Sequence, residues 1–305
     1  MTNAKIIEQL KGVFPPLVTP FNRSGGIDFS HFRENVKSYA GTGVAGIVIA
    51  GSTGEAPYLT EQERVKLVEA ARDLVRPPQI LIVSTGLEST LLTIKLSREA
   101  IARGADALLV ITPNYFKARM ADAKSQLGYY RAVADSVRRP VIIYNIPQFT
   151  GIRMAPETIA ALSRHPNIAG LKESSGDLTY DRSIVRSVRR GFRFFTGSPP
   201  IFLDVLRSGG AGGVLGQANY APELCVGIYE AFQNRQFKLA RDLQRRLTCL
   251  AENIAVPFGV AGVKAAVQLR GLHGGAPRAP LAPLGASARK VIAAALRKAT
   301  EGLDV

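Results

Sequence analysis

The sequence predicts an α/β fold, a (β/α)8 TIM barrel with a C-terminal helical appendage, and three observations carry that prediction. Eight short apolar, β-branched runs recur through the first 220 residues. Amphipathic helical patterns separate them, and no antiparallel hairpin signal interrupts the alternation. The runs begin near Gly12 (GVFPPLVT), Gly46 (GIVIAG), Ile80 (ILIVST), Ala107 (ALLVIT), Val141 (VIIYN), Ile168 (IAGLK), Phe194 (FFTG) and Gly213 (GVLGQ). Each is too short for a helix and apolar on both faces, as a strand buried in a parallel sheet must be.

The helices between them are justified in turn. Phe29, Phe32, Val36 and Tyr39 recur three or four residues apart and so share a face. Thr60 to Glu63 reads as a capping box that opens the helix carrying Val65, Val68 and Val75. Leu91, Ile94 and Ile101 mark the next helix, which is expected to stop at Arg103-Gly104 with glycine as its left-handed cap. A weak repeat of helix end, glycine and strand recurs at Gly43–Gly46, Gly104–Ala107 and Gly209–Gly212. A doubly wound open sheet is the alternative, but no G-x-G-x-x-G follows the first run. After about Asn219 the strands cease. Pro222–Gln233, Phe237–Asn253, Ala261–Leu272 and Ala286–Glu301 read as helices, and Gly274–Pro283 as a loop. The expected organisation is a barrel over 1–220 and a helical region packed on it over 221–305.

Composition removes several classes of function. Charged residues make up 21% and hydrophobic residues 46%, which is the composition of a folded chain and not of a disordered tail. No apolar run reaches the ~18 residues of a membrane span, and the polar start shows no secretory signal. Two cysteines, Cys225 and Cys249, make no disulfide framework, so a reduced, cytoplasmic protein without membrane partners is expected. The net charge of +15 is spread over the chain, and with no Trp and 7% aromatics it offers no stacking platform for nucleic acid. It suits solubility and anionic substrates instead.

In such a barrel the active site lies at the carboxyl ends of the strands. Those ends supply Thr19, Gly51–Glu55, Ser84–Gly86, Thr112–Tyr115, Tyr144-Asn145, Lys172–Ser174, Thr196–Ser198 and Gly216-Gln217. The pool holds one lysine, two tyrosines and several hydroxyls. The three histidines, His31, His165 and His273, are not spaced for joint metal ligation, so no metal is expected. Neither cysteine has a histidine near it in sequence to make it a nucleophile. Lys172 closes an apolar strand, where desolvation favours the neutral amine that attacks a carbonyl to give a Schiff base. A lysine that snorkels to the rim or pairs with Glu173 is an equal reading from position alone. Tyr144 ends the preceding strand and is either a proton carrier across the barrel mouth or packing. The Gly51–Glu55 turn offers N–H groups and two hydroxyls as a carboxylate cradle.

Together these residues resemble the dihydrodipicolinate synthase and N-acetylneuraminate lyase family of Schiff-base aldolases. The resemblance runs over nearly the whole chain. It rests on Gly12–Pro16 with Thr19-Pro20-Phe21, Gly51–Glu55, Thr112–Tyr115, Tyr144–Pro147, Gly170–Ser174 and Pro277–Leu281. It implies that Lys172 forms the imine with a 2-oxo acid such as pyruvate, that Tyr144 and Ser52 move protons, and that Ser52 and Thr53 hold the carboxylate. By the same resemblance Tyr115 reaches a neighbouring subunit's site, Val214 lies against the bound keto acid, and the assembly is a homotetramer of paired dimers. No cofactor is implied beyond the covalent imine on Lys172, and the partners are a 2-oxo acid and an aldehyde.

Within that family the synthase branch carries an arginine two residues after the proline of Tyr-Asn-x-Pro, where this chain has Phe149. Phenylalanine makes no charge-assisted hydrogen bond to a substrate carboxylate. Asn114–Met120, His165–Gly170 and Pro257–Gly262 are most similar to the 4-hydroxy-2-oxoglutarate aldolase branch. Cleavage of that acid to pyruvate and glyoxylate is therefore the expected activity. Dihydrodipicolinate synthesis and 2-keto-3-deoxy sugar acid aldolase or dehydratase activity are the alternatives. A keto-acid-binding sensor is the non-enzymatic one.

Overall fold

A computed structural model describes residues 1–302 of the chain. Its eight parallel strands are β1 (Gly12–Val13), β2 (Gly46–Ile49), β3 (Ile80–Ser84), β4 (Ala107–Ile111), β5 (Val141–Asn145), β6 (Ile168–Glu173), β7 (Arg193–Thr196) and β8 (Gly212–Gly213). They hydrogen-bond in the order β1-β8-β7-β6-β5-β4-β3-β2. The seam between β1 and β2 is closed by the parallel bridge Pro16–Val48. There the Ala45 N–H donates to Val13 O at 2.9 Å and the Leu17 N–H to Val48 O at 2.8 Å. The sheet is thus a TIM barrel and not an open one. β1 enters the ladder over two residues only. The expected run GVFPPLVT contains Pro15 and Pro16, which have no N–H to donate.

Two apolar layers hold the barrel. Inside it, Phe14, Val48, Ile82, Leu109, Ile142 and Phe195 pack together, and that cluster is joined by Ile6 from the helix Asn3–Gln9 and by Leu10, which caps that helix. Outside it, the strands' other faces meet the surrounding helices in one continuous core. The capping box at Thr60 and Glu63 is formed in both directions. Gly104, at φ +105°, follows the helix Thr90–Ala102 as expected.

That helix corrects one expectation. Its buried face is Thr93, Leu96, Ser97 and Ala100, while Leu91 is 74% exposed. The hydroxyls are tolerated inside because Thr93 meets Tyr129 at 3.0 Å and Ser97 meets Thr85 at 2.8 Å.

The helices Pro222–Gln233, Phe237–Leu250 and Ala286–Thr300 follow β8, and the first packs on β1. The helical region read over 221–305 extends past the described residues at 303–305. The two middle helices expected from sequence are parted by a break at Gly259, whose φ of +52° favours glycine. The first runs on beyond its expected end at Asn253 through a π-helical turn at Ala251–Ala255. Counted across that break, the 33 residues Phe237–Leu269 reach a mean hydropathy of 1.3 over their most apolar stretch and pass by length and composition for a membrane span, which the expectation did not foresee. Half of that stretch is buried in the protein. Its neighbours are the helices on either side, which makes it a core helix.

Candidate active site

Lys172 is aimed by a bulge. Val141 of β5 pairs with Ile168, but Ile142 pairs with Gly170, so β6 carries one extra residue at Ala169. An inserted residue exchanges the two faces of everything after it. Ala169 belongs to the interior cluster and Leu171 to the outer core. Lys172 therefore points into the barrel beside its register partner Tyr144. Its ammonium lies 4.1 Å from the centre of the Tyr144 ring, and the two residues are 5% and 2% exposed. Tyr144 Oη in turn lies 3.3 Å from Ser52 Oγ. The alternative pairing of Lys172 with Glu173 is absent, because successive strand residues face opposite ways. Glu173 is fully buried on the outer side and accepts from Asn145 at 3.2 Å and from the Ser175 N–H and hydroxyl at 2.9 Å.

Room for the lysine comes from Gly197, after β7. A Cβ there would stand 3.0 Å from Lys172 Cε and would collide with the Ser174 hydroxyl. Val214, 2% exposed, lies in the same interior cluster as Tyr144, and its N–H donates to Thr196 O at 2.9 Å.

The turn after β2 holds Ser52 and Thr53. Two non-glycine residues flank it in the left-handed region, Ala50 at φ +52° and Glu55 at φ +61°, a conformation that costs about 1–3 kcal/mol each and persists only where the surroundings enforce it. The Glu55 N–H closes on Ser52 O at 3.0 Å and the Ala56 N–H on Gly51 O at 3.1 Å. Among the described residues, the N–H groups of Ser52 and Thr53 have no acceptor. Adjacent free N–H groups beside hydroxyls form an anion-binding concavity. Thr53 faces Gly216 at the end of β8, across which a Cβ would lie 3.9 Å from its hydroxyl.

What enforces the turn is a buried ion network. Lys264 Nζ meets Glu55 Oε1 at 2.5 Å and also donates to Thr19 O and Ala276 O at 2.8 and 2.9 Å. Burial pulls its ammonium below the ordinary lysine range, and the Glu55 carboxylate opposes that pull. Glu55 Oε2 accepts the Arg278 N–H at 2.8 Å. Arg278 grips Glu63 with two guanidinium nitrogens at 2.7 and 2.8 Å, and this bond holds the Glu63 carboxyl below the usual carboxylate range. The C-terminal region is thus locked to the turn that carries Ser52.

A second buried group lies behind the lysine. Asp181 is 1% exposed and neither of its oxygens meets a donor. Burial first, then the neighbouring Glu173 carboxylate, pushes its carboxyl up to about 8.

Tyr115 and Phe149 lie apart from these contacts. Tyr115 is 79% exposed, stacked edge-on against Phe116 with ring centres 5.0 Å apart, and its N–H donates to Glu88 at 2.9 Å. Within one chain it makes no hydrogen bond to Lys172, Tyr144 or Ser52. Phe149 is 67% exposed on the short helix Pro147–Thr150 and lines a cavity of about 590 Å³ that also touches Ser52.

Of the residues expected from sequence, the structure brings Lys172, Tyr144 and Ser52 together, with Thr53 and Val214 around them. Sequence reasoning missed Lys264 and Asp181, and it placed Gly197 among the strand-end residues without a role. A lysine on a helix reads as solvated, and nothing local shows that Lys264 meets a carboxylate 209 residues away. The signal that was available is its apolar setting, Gly262-Val263-Lys264-Ala265-Ala266.

The model of the Dihydrodipicolinate synthetase family matches residues 9–299. The chain is 35% identical over 275 residues to 4-hydroxy-tetrahydrodipicolinate synthase of Methanothrix thermoacetophila, covering 90% of this chain and 92% of that protein. Dihydrodipicolinate synthase DapA-2 of Bacillus anthracis superposes with a TM-score of 0.90 at 28% identity, covering 94% of this chain and 98% of that one. YagE of Escherichia coli K12, a prophage protein of the dihydrodipicolinic acid synthase family solved with pyruvate, gives 0.89 at 27% identity over 95% and 98%.

Proposed function

Because the chain belongs to the Dihydrodipicolinate synthetase family, whose members are lyases, we propose that it makes or breaks a carbon–carbon bond next to the carbonyl of a 2-oxo acid held as an imine on Lys172. The observation that carries this reading is the line of contacts from Lys172 over the Tyr144 ring to Ser52. A nearly buried amine, a phenol and a second hydroxyl in hydrogen-bond reach are the parts that imine formation needs.

The free amine of Lys172 adds to the carbonyl carbon of pyruvate, and Tyr144 passes a proton to the departing hydroxyl so that water leaves. The protonated imine withdraws electrons, a proton of the methyl carbon passes to the Tyr144 phenolate, and an enamine forms at that carbon. That carbon adds to an aldehyde, whose oxygen takes a proton from Tyr144, with Ser52 next in the relay. Water then hydrolyses the imine and restores Lys172, and cleavage is the same path reversed. The unpaired N–H groups of Ser52 and Thr53 hold the keto acid's carboxylate. No step calls for a metal or a separate cofactor.

The names of the relatives support dihydrodipicolinate-type condensation over the 4-hydroxy-2-oxoglutarate cleavage expected from local motifs. We also propose the homotetramer, with Tyr115 completing a neighbouring site. Leu91, Leu92, Tyr115 and Phe116 are all exposed apolar residues that such a contact would cover. A cytoplasmic location follows from the proposed metabolic role. The test is pyruvate consumption with an aldehyde by the wild type against Lys172→Ala. Retained turnover in a folded variant excludes the mechanism, and a loss of at least ~10³-fold supports it.

A further inference from the structure

Lys172 and Tyr144 are register partners on β6 and β5, and the next residues along, Glu173 and Asn145, are partners on the other face of the sheet. Glu173 is filled with donors. Asn145 Nδ2 reaches it at 3.2 Å, and the Ser175 N–H and hydroxyl reach it at 2.9 Å. Asn145 Nδ2 also lies 3.3 Å from Tyr180 Oη, on the helix Leu178–Ser187. From the next position of that helix Asp181 comes within hydrogen-bond reach of Glu173, yet neither of its oxygens meets a donor. Asp181 and Glu173 are 1% and 0% exposed. Neither pairs with a cation among the described residues: Arg153, which acts on Asp181 from a distance, is committed to Asp177 at 2.7 Å and to the face of the Tyr180 ring at 4.0 Å. The helices Pro156–Ser163 and Phe202–Arg207 also pack on this helix, but their Glu157, Asp204 and Arg207 bring Asp181 no donor. Two buried carboxyls in reach of each other, with no cation between them, hold one proton in common. Glu173 is the filled acceptor, so the proton sits on Asp181 and is donated to Glu173.

We propose that Asp181 and Glu173 are positioning residues for the imine site, and that the proton they share keeps the ends of β5 and β6 in the register that sets Lys172 over the Tyr144 ring. Neither touches the substrate, and the proposal rests on the imine reading for Lys172. While Asp181 is protonated, one hydrogen bond ties the helix Leu178–Ser187 to the residue beside Lys172. When it ionises, two carboxylates face each other in the interior, with Asp177 adding to the repulsion and Arg153 opposing it. Glu173 is fixed through Asn145 to the strand that carries Tyr144, so both strand ends feel that repulsion together. A misplacement on the order of 1 Å there lowers rates by about 10²-fold. Burial and the Glu173 carboxylate hold the Asp181 proton up to about 8. The loss therefore falls on the alkaline side, where a free amine alone would go on gaining.

The experiment measures the rate of imine formation between pyruvate and the full-length protein from about pH 6 to 10, trapped with cyanoborohydride and counted by intact mass. Wild type is compared with Asp181→Asn, because asparagine donates to Glu173 at every pH. The titration of Lys172 and Tyr144 themselves is common to both and cancels in the ratio of variant to wild-type rate. That ratio is expected to rise about tenfold between about pH 7 and 9, as the loss of one proton at about 8 dictates. Asp181→Ala offers no donor and is expected to be at least about fivefold slower than Asp181→Asn at neutral pH. A ratio that stays within about twofold across the range, or an alanine variant as fast as the asparagine one, overturns the proposal. Infrared titration of the wild type labelled with ¹³C-aspartate decides the matter even where a variant fails to fold. One aspartic acid carbonyl band is expected to persist at neutral pH and to vanish as pH rises through about 8. Absence of that band at neutral pH overturns the shared proton. A wild type that traps no pyruvate at any pH overturns the imine reading instead, and that outcome is distinct from an adduct whose rate ratio does not move with pH.

Discussion

Lys264 Nζ lies 2.5 Å from Glu55 Oε1, and the two side chains are 1% and 0% exposed. The pair joins the helix after the Gly259 break to the turn that presents Ser52 and Thr53, and Lys264 Nζ also donates to Thr19 O and Ala276 O. Removing one member strands the other charge in the interior. Such losses run to about 3–5 kcal/mol, even though a buried pair adds little over an apolar substitute.

Lys264→Met is accordingly expected to lower unfolding stability by that amount in denaturant titration. Glu55→Gln with Lys264→Met is expected to lose less than the sum of the two single changes, since neither charge is then left alone. Strict additivity would contradict the pairing. Pyruvate affinity is expected to weaken in the single variants, because the strained φ of Glu55 depends on this contact.

Gly197→Ala tests the packing around the lysine. The added methyl meets Lys172 Cε at 3.0 Å and the Ser174 hydroxyl more closely still, so the amine is displaced. A misplacement on the order of 1 Å lowers rates by about 10²-fold. The expected result is an imine-formation rate reduced to that degree in stopped-flow, with a folded circular dichroism spectrum. An unchanged rate would mean that Lys172 has another conformation in which it works.

Asp181 gives a pH signature. Its carboxyl holds a proton in the folded state up to about 8, whereas an unfolded aspartate binds one only below ~4. Between those values the folded protein carries the extra proton, so this group's contribution to stability falls as pH rises through the window. Asp181→Asn is expected to flatten the dependence of Tm on pH between about 4 and 8 and to raise Tm at its upper end. A variant that tracks the wild type across that range would show that Asp181 is already ionised beside Glu173.

The barrel was legible because its signals are local. Each β-branched run is bounded by glycine or a helix cap, and seven strands fall where the runs lie, while β8, Gly212–Gly213, meets its run only at Gly213. Lys172 and Tyr144 were legible because they end adjacent strands. What could not be read was the bulge at Ala169, which decides whether Lys172 faces the barrel interior or the helices, since Ile168-Ala169-Gly170-Leu171 is apolar on either face. The extension of the helix that starts at Phe237 was equally hidden, because a π-helical turn at Ala251–Ala255 carries it past Asn253 before the break at Gly259 ends it. The Glu55–Lys264 contact depends on closure of the whole barrel and has no local mark.

The account's central claim is that Lys172 forms an imine with a 2-oxo acid. It is tested most directly by incubating the protein with pyruvate, reducing with borohydride, and reading the intact mass and then the peptide map. The result expected is one reduced pyruvyl group per chain, carried on the peptide containing Lys172 and missing from Lys172→Ala. An adduct on another lysine, or none on folded protein with pyruvate in excess, would contradict it.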